Sequence, residues 1–195
     1  MAIRLYAVTV HDGAPGGPPA GVTSVAFREL SALVAEVPYT RVQPDAADAD
    51  RTREWLDAMA PRRALIPAPF GTVFRHRDAL MRWMELHYVA ISDALSYVDD
   101  RAAARVHVAT KHGGEGDPAA LADAVFRGLR RRAVASVNLG EVDGSLESCA
   151  FLIERDLWGA FQDAVREEQQ RFPSLDLTIT GPWAPFDFVR LQFSV

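Results

Sequence analysis

Ser148-Cys149-Ala150-Phe151-Leu152-Ile153-Glu154 is followed by a helical pattern carrying Leu157, Phe161, Ala164 and Val165, and then by Leu175-Asp176-Leu177-Thr178-Ile179-Thr180. The first run is almost entirely apolar and rich in β-favouring residues, as a strand buried on both faces requires. The last alternates apolar with polar residues, the period of a half-buried strand. Between them Asp156 is placed to cap a helix that Pro173 ends. Strand, helix and strand follow in close succession.

Working outward, Arg105 to Ala109 reads as an earlier strand, and Asp117-Pro118 opens a helix with Leu121, Val125 and Leu129 on one face, ending near Ala133. Asn138 to Ser148 is polar and contains glycine, which predicts a loop. Phe186 to Val195 is available as a last strand. Helices interleaved with strands on this scale predict an α+β sandwich with ferredoxin-like connections, helices covering one sheet face.

The amino-terminal half carries its own elements. Ile3 to Val10, Val22 to Phe27 and Leu33 to Val37 read as strands, separated by the glycine- and proline-rich stretch Gly13 to Gly21 and by a break near Arg28-Glu29-Leu30. Asp48 to Met59 is a helix with Trp55, Leu56 and Met59 on one side, and Ala64 to Pro67 a short strand. From Asp78, Leu80, Met84, Tyr88, Ile91, Leu95 and Val98 recur every three or four residues, the stripe of one long helix. Asp99-Asp100 closes it, which places a boundary between a domain of residues 1–100 and one of 101–195.

Composition narrows the function. The 195 residues are 49% hydrophobic, enough for a packed core. Twenty-six acidic against 21 basic residues give a formal net charge of −5, which opposes binding to a phosphate backbone, so no nucleic acid is expected as a partner. The single cysteine, Cys149, cannot form an intrachain disulfide or a thiolate zinc cage. Met1 to Val10 lacks the long apolar core of a secretory signal, and no run of 18 apolar residues occurs, so the expectation is a cytoplasmic protein with no membrane span.

Catalytic and metal signatures are weak. His107 and His112 stand five apart and His76 and His87 eleven apart, none in a ligand spacing such as His-Glu-x-x-His, and no metal is expected. There is no Gly-x-Ser-x-Gly elbow, and Cys149 sits in apolar company that raises a thiol pKa. Asp99-Asp100 reads as a turn. Gly113-Gly114-x-Gly116 lacks both the lysine of a phosphate loop and the spacing of a dinucleotide fingerprint. Arg127, Arg130, Arg131 and Arg132 crowd one helix end, where they complement its negative dipole. No cofactor and no catalytic residue is assigned.

Two stretches are more specific: Ala64-Leu65-Ile66-Pro67-Ala68-Pro69-Phe70-Gly71-Thr72-Val73-Phe74 and Ile179-Thr180-Gly181-Pro182-Trp183-Ala184-Pro185-Phe186-Asp187-Phe188-Val189. They resemble the signature segments of the GvpL/GvpF family of gas vesicle assembly proteins, Pro-x-x-Phe-Gly-Thr-x-Phe and Thr-Gly-Pro-Trp-Pro-Pro-Tyr-x-Phe. Pro69 stands where the family usually has arginine, Ala184 for the first repeated proline and Phe186 for tyrosine. The resemblance covers nearly the whole chain. It implies a non-enzymatic α+β protein of two small domains, the C-terminal one a modified ferredoxin-like sandwich of helices on an antiparallel sheet. It also implies association with gas vesicles, and as partners the hydrophobic wall protein and other accessory proteins. The candidate partner-binding residues are Phe70, Gly71, Thr72, Phe74, Gly181, Pro182, Trp183, Pro185 and Phe186. For the aromatics, packing against the core is the competing expectation. A ferredoxin-like small-molecule-binding protein or enzyme, with a pocket lined by His107, Asp99 or Glu147, is the alternative function.

Overall fold

The structure, a computed structural model, describes residues 1–11, 18–39, 45–111, 117–142, 144–189 and 191. His112 and the glycines at 113, 114 and 116 lie outside the described residues, as does most of the glycine- and proline-rich stretch. The chain divides into two compact units, one of Met1–Asp99 with Val189 and Leu191, the other of Asp100–Phe188. Val189 and Leu191, at the end of the chain, are buried in the core of the first unit.

In the first unit β1 (Ala2–Val10) pairs antiparallel with β3 (Leu30–Val37), which pairs with β2 (Thr23–Phe27) across the tight turn at Arg28-Glu29. The other edge of β1 is shared by β4 (Leu65–Pro67) and β5 (Val73–Phe74). A register shift against β3 falls between Leu5 and Ala7. Such a bulge flips the side-chain alternation. Ile3 and Leu5 before it and Val8 after it therefore all enter one core, with Val25, Ala32 and Val34.

Two helices close that core, α2 (Arg77–Leu86) through Leu80 and Met84, and α3 (Tyr88–Val98) through Ile91, Leu95 and Val98. The stripe read from the sequence is intact. It is nevertheless carried by two helices that meet at His87, whose φ and ψ of −102° and 9° leave the helical region. On the opposite sheet face, α1 (Ala46–Met59) is fixed by Asp48 to Arg4 and by Trp55 to Tyr6. Its N-cap is Asp45, whose side chain accepts the Ala47 N–H.

The second unit runs β6 (Arg101–Thr110), α4 (Pro118–Arg130), β7 (Ala135–Gly140), β8 (Glu147–Glu154), a 3₁₀ turn at Arg155–Leu157, α5 (Trp158–Arg171) and β9 (Leu175–Trp183). The sheet order is β7-β8-β6-β9 with all pairs antiparallel. That is the βαββαβ ferredoxin-like arrangement. Ala104, Val106 and Val108 of β6 and Cys149, Phe151 and Ile153 of β8 face Val125, Phe126 and Leu129 of α4 and Phe161 and Val165 of α5. Phe151 packs between Phe126 and Phe161, with ring centroids 6.1 and 5.3 Å away. Full burial of each such ring or aliphatic chain contributes about 1.5–3 kcal/mol.

Three further expectations are corrected. Residues 138–140, read as loop, are the end of β7: an edge strand needs only one partner, and Gly140, with φ of 72°, sits beyond a register shift at Asn138. Asp156 lies in the 3₁₀ turn, and α5 begins without a side-chain cap bond. Phe186–Phe188 form turns, with Phe186 N–H donating to the Ala184 carbonyl and Phe188 N–H to that of Pro185. The remainder of that expected last strand is undescribed apart from Val189 and Leu191, which are not in strand.

Candidate functional site

The first signature segment bridges β4 and β5. Ala68 N–H donates to the Tyr6 carbonyl at 2.8 Å, and Leu5 N–H to the Thr72 carbonyl at 2.9 Å, so the segment leaves β1 and rejoins it across the bulged residue Tyr6. Between those anchors Thr72 N–H donates to the Pro69 carbonyl at 3.1 Å, and Thr72 Oγ1 to the same oxygen at 2.6 Å. Gly71 occupies the third turn position with φ of 80°, a conformation costly for any residue with a Cβ.

The turn lifts Phe70 to 39% exposure. Its ring is held by the Arg4 guanidinium, 4.7 Å from the centroid, and Arg4 also lies 4.5 Å from the Tyr6 ring. Arg4 Nη1 donates to Asp48 Oδ2 at 2.6 Å. A nearly buried cation thus meets one carboxylate and two π faces, which compensates its desolvation. Phe74 behaves differently: it is half-buried against the core, 5.6 Å from the Trp83 ring.

The second signature segment is the end of β9 and the turn after it. Gly181 has φ of 121°, and a Cβ there would meet the Ala103 carbonyl oxygen at 2.7 Å and Trp158 Cη2 at 2.9 Å. Only glycine fits that approach. The Gly181-Pro182 peptide bond is cis. Trp183, register partner of Ala103, is 41% exposed, and its Nε1–H donates to Thr180 Oγ1 at 3.1 Å. Ala184 and Pro185 are buried and Phe186 is half-buried. Asp187 receives Arg105 Nε and Nη2 at 3.0 and 3.2 Å, a bidentate pair that ties the turn to β6.

Of the candidate residues, Phe70 and Trp183 present large exposed aromatic surface; Gly71, Thr72 and Gly181 set the backbone beneath them, and Phe74, Pro185 and Phe186 pack inward. Sequence reasoning missed Arg4 and Arg105. Each is an arginine inside an otherwise largely apolar strand run, the one signal that a partner on its sheet face was required.

The features of the alternative reading stand apart. His107 Nδ1 lies 2.8 Å from Ser148 Oγ, Glu147 accepts from Asn138 Nδ2 at 2.7 Å, and Asp99 is exposed. A shallow depression of about 410 Å³ lies elsewhere, lined by Arg131, Arg132, Val134, Leu157 and Phe161 among others. Burial pushes the Cys149 thiol above its ordinary value. Among the described residues no group of three or more His, Cys, Asp or Glu side chains is placed to hold a metal, and no helix is long and apolar enough to cross a membrane.

Known proteins share this fold. The family model described as gas vesicle synthesis protein GvpL/GvpF matches residues 2–117 and 114–190. Gas vesicle protein F2 of Halobacterium salinarum is 26% identical over 190 residues, 93% of this chain and 85% of that protein. Gas vesicle protein F of Haloferax mediterranei is 25% identical over 182 residues, 88% and 83% of the two chains. The crystal structure of GvpF from Anabaena sp. PCC7120 superposes with a TM-score of 0.79 at 13% identity, covering 98% of this chain and 99% of that one. GvpF from Microcystis aeruginosa gives 0.76 at 14%, covering 96% and 98%. These likenesses fix the fold, and the family model spans both signature segments: the chain belongs to the GvpL/GvpF family of gas vesicle synthesis proteins.

Proposed function

We propose that this chain is an accessory protein that binds the hydrophobic gas vesicle wall protein, other accessory proteins or both during vesicle assembly. Family membership supports the gas vesicle role. The observation that carries the binding role is the exposure of Phe70 and Trp183, each held on a braced turn of a signature segment. Rigid aromatic side chains give large contact area for little lost entropy, which is why they recur as binding anchors.

A wall protein destined for an assembled shell carries apolar surface that aggregates if left in water. A soluble partner with fixed aromatic anchors shields such surface without itself unfolding. Co-purification and size-exclusion chromatography with the cognate wall protein and accessory proteins test the proposal. A co-eluting complex supports it, and separate elution of every pair overturns it.

A further inference from the structure

We propose that the outer edge of β7, which pairs with no further strand among the described residues, pairs antiparallel with β7 of a second copy of this chain, forming a reversible dimer. The strand Ala135-Ser136-Val137-Asn138-Leu139-Gly140 lies at the edge of its sheet and carries no charge and no proline. Edge strands expose unpaired N–H and C=O groups, and proteins that stay monomeric generally protect them with charged residues, proline, short strands or bulges, of which β7 has the register shift at Asn138 near its end.

The flanks of β7 determine what the edge accepts. Before it stand Arg131 and Arg132, both exposed; after it stands Glu141, also exposed, with Glu147 reaching Asn138 from β8 at the same end. The strand thus has a basic beginning and an acidic end. In an antiparallel pair related by a two-fold axis, the beginning of each strand meets the end of the other. Pairing about Ser136 or Val137 brings the Glu141 end of one strand towards the turn at Arg131 and Arg132 that precedes β7 in the other copy. Either register joins opposite charges twice, once at each end of the interface.

Apolar chemistry matches as well. The depression at the beginning of β7 has Arg131 and Arg132 at its rim, and Val134 and Leu157, 44% and 47% exposed, in its wall. A segment reading Leu139-Gly140-Glu141 supplies an apolar side chain for that wall and a carboxylate for that rim. The other long edge strands lack this polarity: β9 carries Asp176 and Pro182, and uncharged Pro19 to Val22 precede β2. The register shift at Asn138 shortens the pairing, so the dimer is weak and concentration-dependent.

Sedimentation velocity of the full chain at low ionic strength, over a concentration series, tests this. The wild-type mass is expected to rise from 21.4 kDa towards twice that value, and to fall back as salt is added. Arg131→Glu with Arg132→Glu, and separately Glu141→Arg, each raise the dimer dissociation constant at least tenfold, whereas an equimolar mixture of the two variants associates. Should the double variant fail to fold, Arg131→Glu alone, which keeps the Arg132–Glu167 pair, replaces it in the mixture. A wild type monomeric throughout the series, a dimer that survives both reversals, or a mixture that stays monomeric overturns the proposal.

Discussion

The two signature segments solve one problem by different means. Each turns the chain sharply at a sheet edge and leaves one aromatic ring exposed. In the first, Gly71 sits in an ordinary turn, and the ring is held from below by Arg4, which is locked to Asp48. In the second, Gly181 lies against the β6 backbone and the side chain of Trp158, and the arginine pair fastens the turn beyond the ring. The first segment therefore depends chiefly on an electrostatic brace and the second on the absence of a side chain.

That contrast orders the expected losses. Gly181→Ala combines a positive φ with overlap against backbone, and is expected to cost about 2–4 kcal/mol in urea unfolding, whereas Gly71→Ala costs about 1 kcal/mol. Equal losses at the two glycines break the comparison. Next comes Arg4→Met, which removes the nearer partner of Asp48; because Asp48 keeps 28% exposure and a second pair with Arg51 at 3.7 Å, the expected cost is about 2 kcal/mol, below that of breaking a fully buried pair. Asp187→Ala costs about 1 kcal/mol, since both members of its pair retain contact with water. An Arg4 variant cheaper than the Asp187 variant reverses the assignment.

The smallest effect is one of pH. Tyr88 donates to the Glu29 carboxylate at the β2–β3 turn and holds its pKa below the ordinary carboxylate value. A depressed folded-state pKa contributes stability above the unfolded value of about 4.3, and that contribution is lost as pH falls through the folded value. Tyr88→Phe is expected to flatten a small acid-side drop in melting temperature, and an unchanged profile removes the pair from the account.

How much of this was legible in sequence differs element by element. The second core was readable because β8 is a continuous apolar run and α5 carries Phe161, Ala164 and Val165 at helical spacing, all buried, although Leu157, read with them, is 47% exposed in the turn before the helix. The break at His87 was not, because it contains no glycine or proline and leaves the buried stripe in phase. β7 was hidden by Asn138 and Gly140, which read as loop although an edge strand tolerates them. At the site, the motif residues were visible as a pattern, but the pattern could not say that Phe70 and Trp183 face outward while Phe74 packs inward. The partners that decide this are far away in sequence: Arg4 contacts Phe70, and Arg105 lies 82 positions from Asp187.

The central claim is that the exposed aromatics do the work, and binding of Phe70→Ser and Trp183→Ser variants to the cognate wall protein tests it most directly. Both rings are partly exposed, so the variants are expected to melt close to the wild type. Binding is expected to weaken at least tenfold in one or both, since an anchor of this kind contributes about 2 kcal/mol or more. Wild-type affinity in the folded double variant contradicts the account.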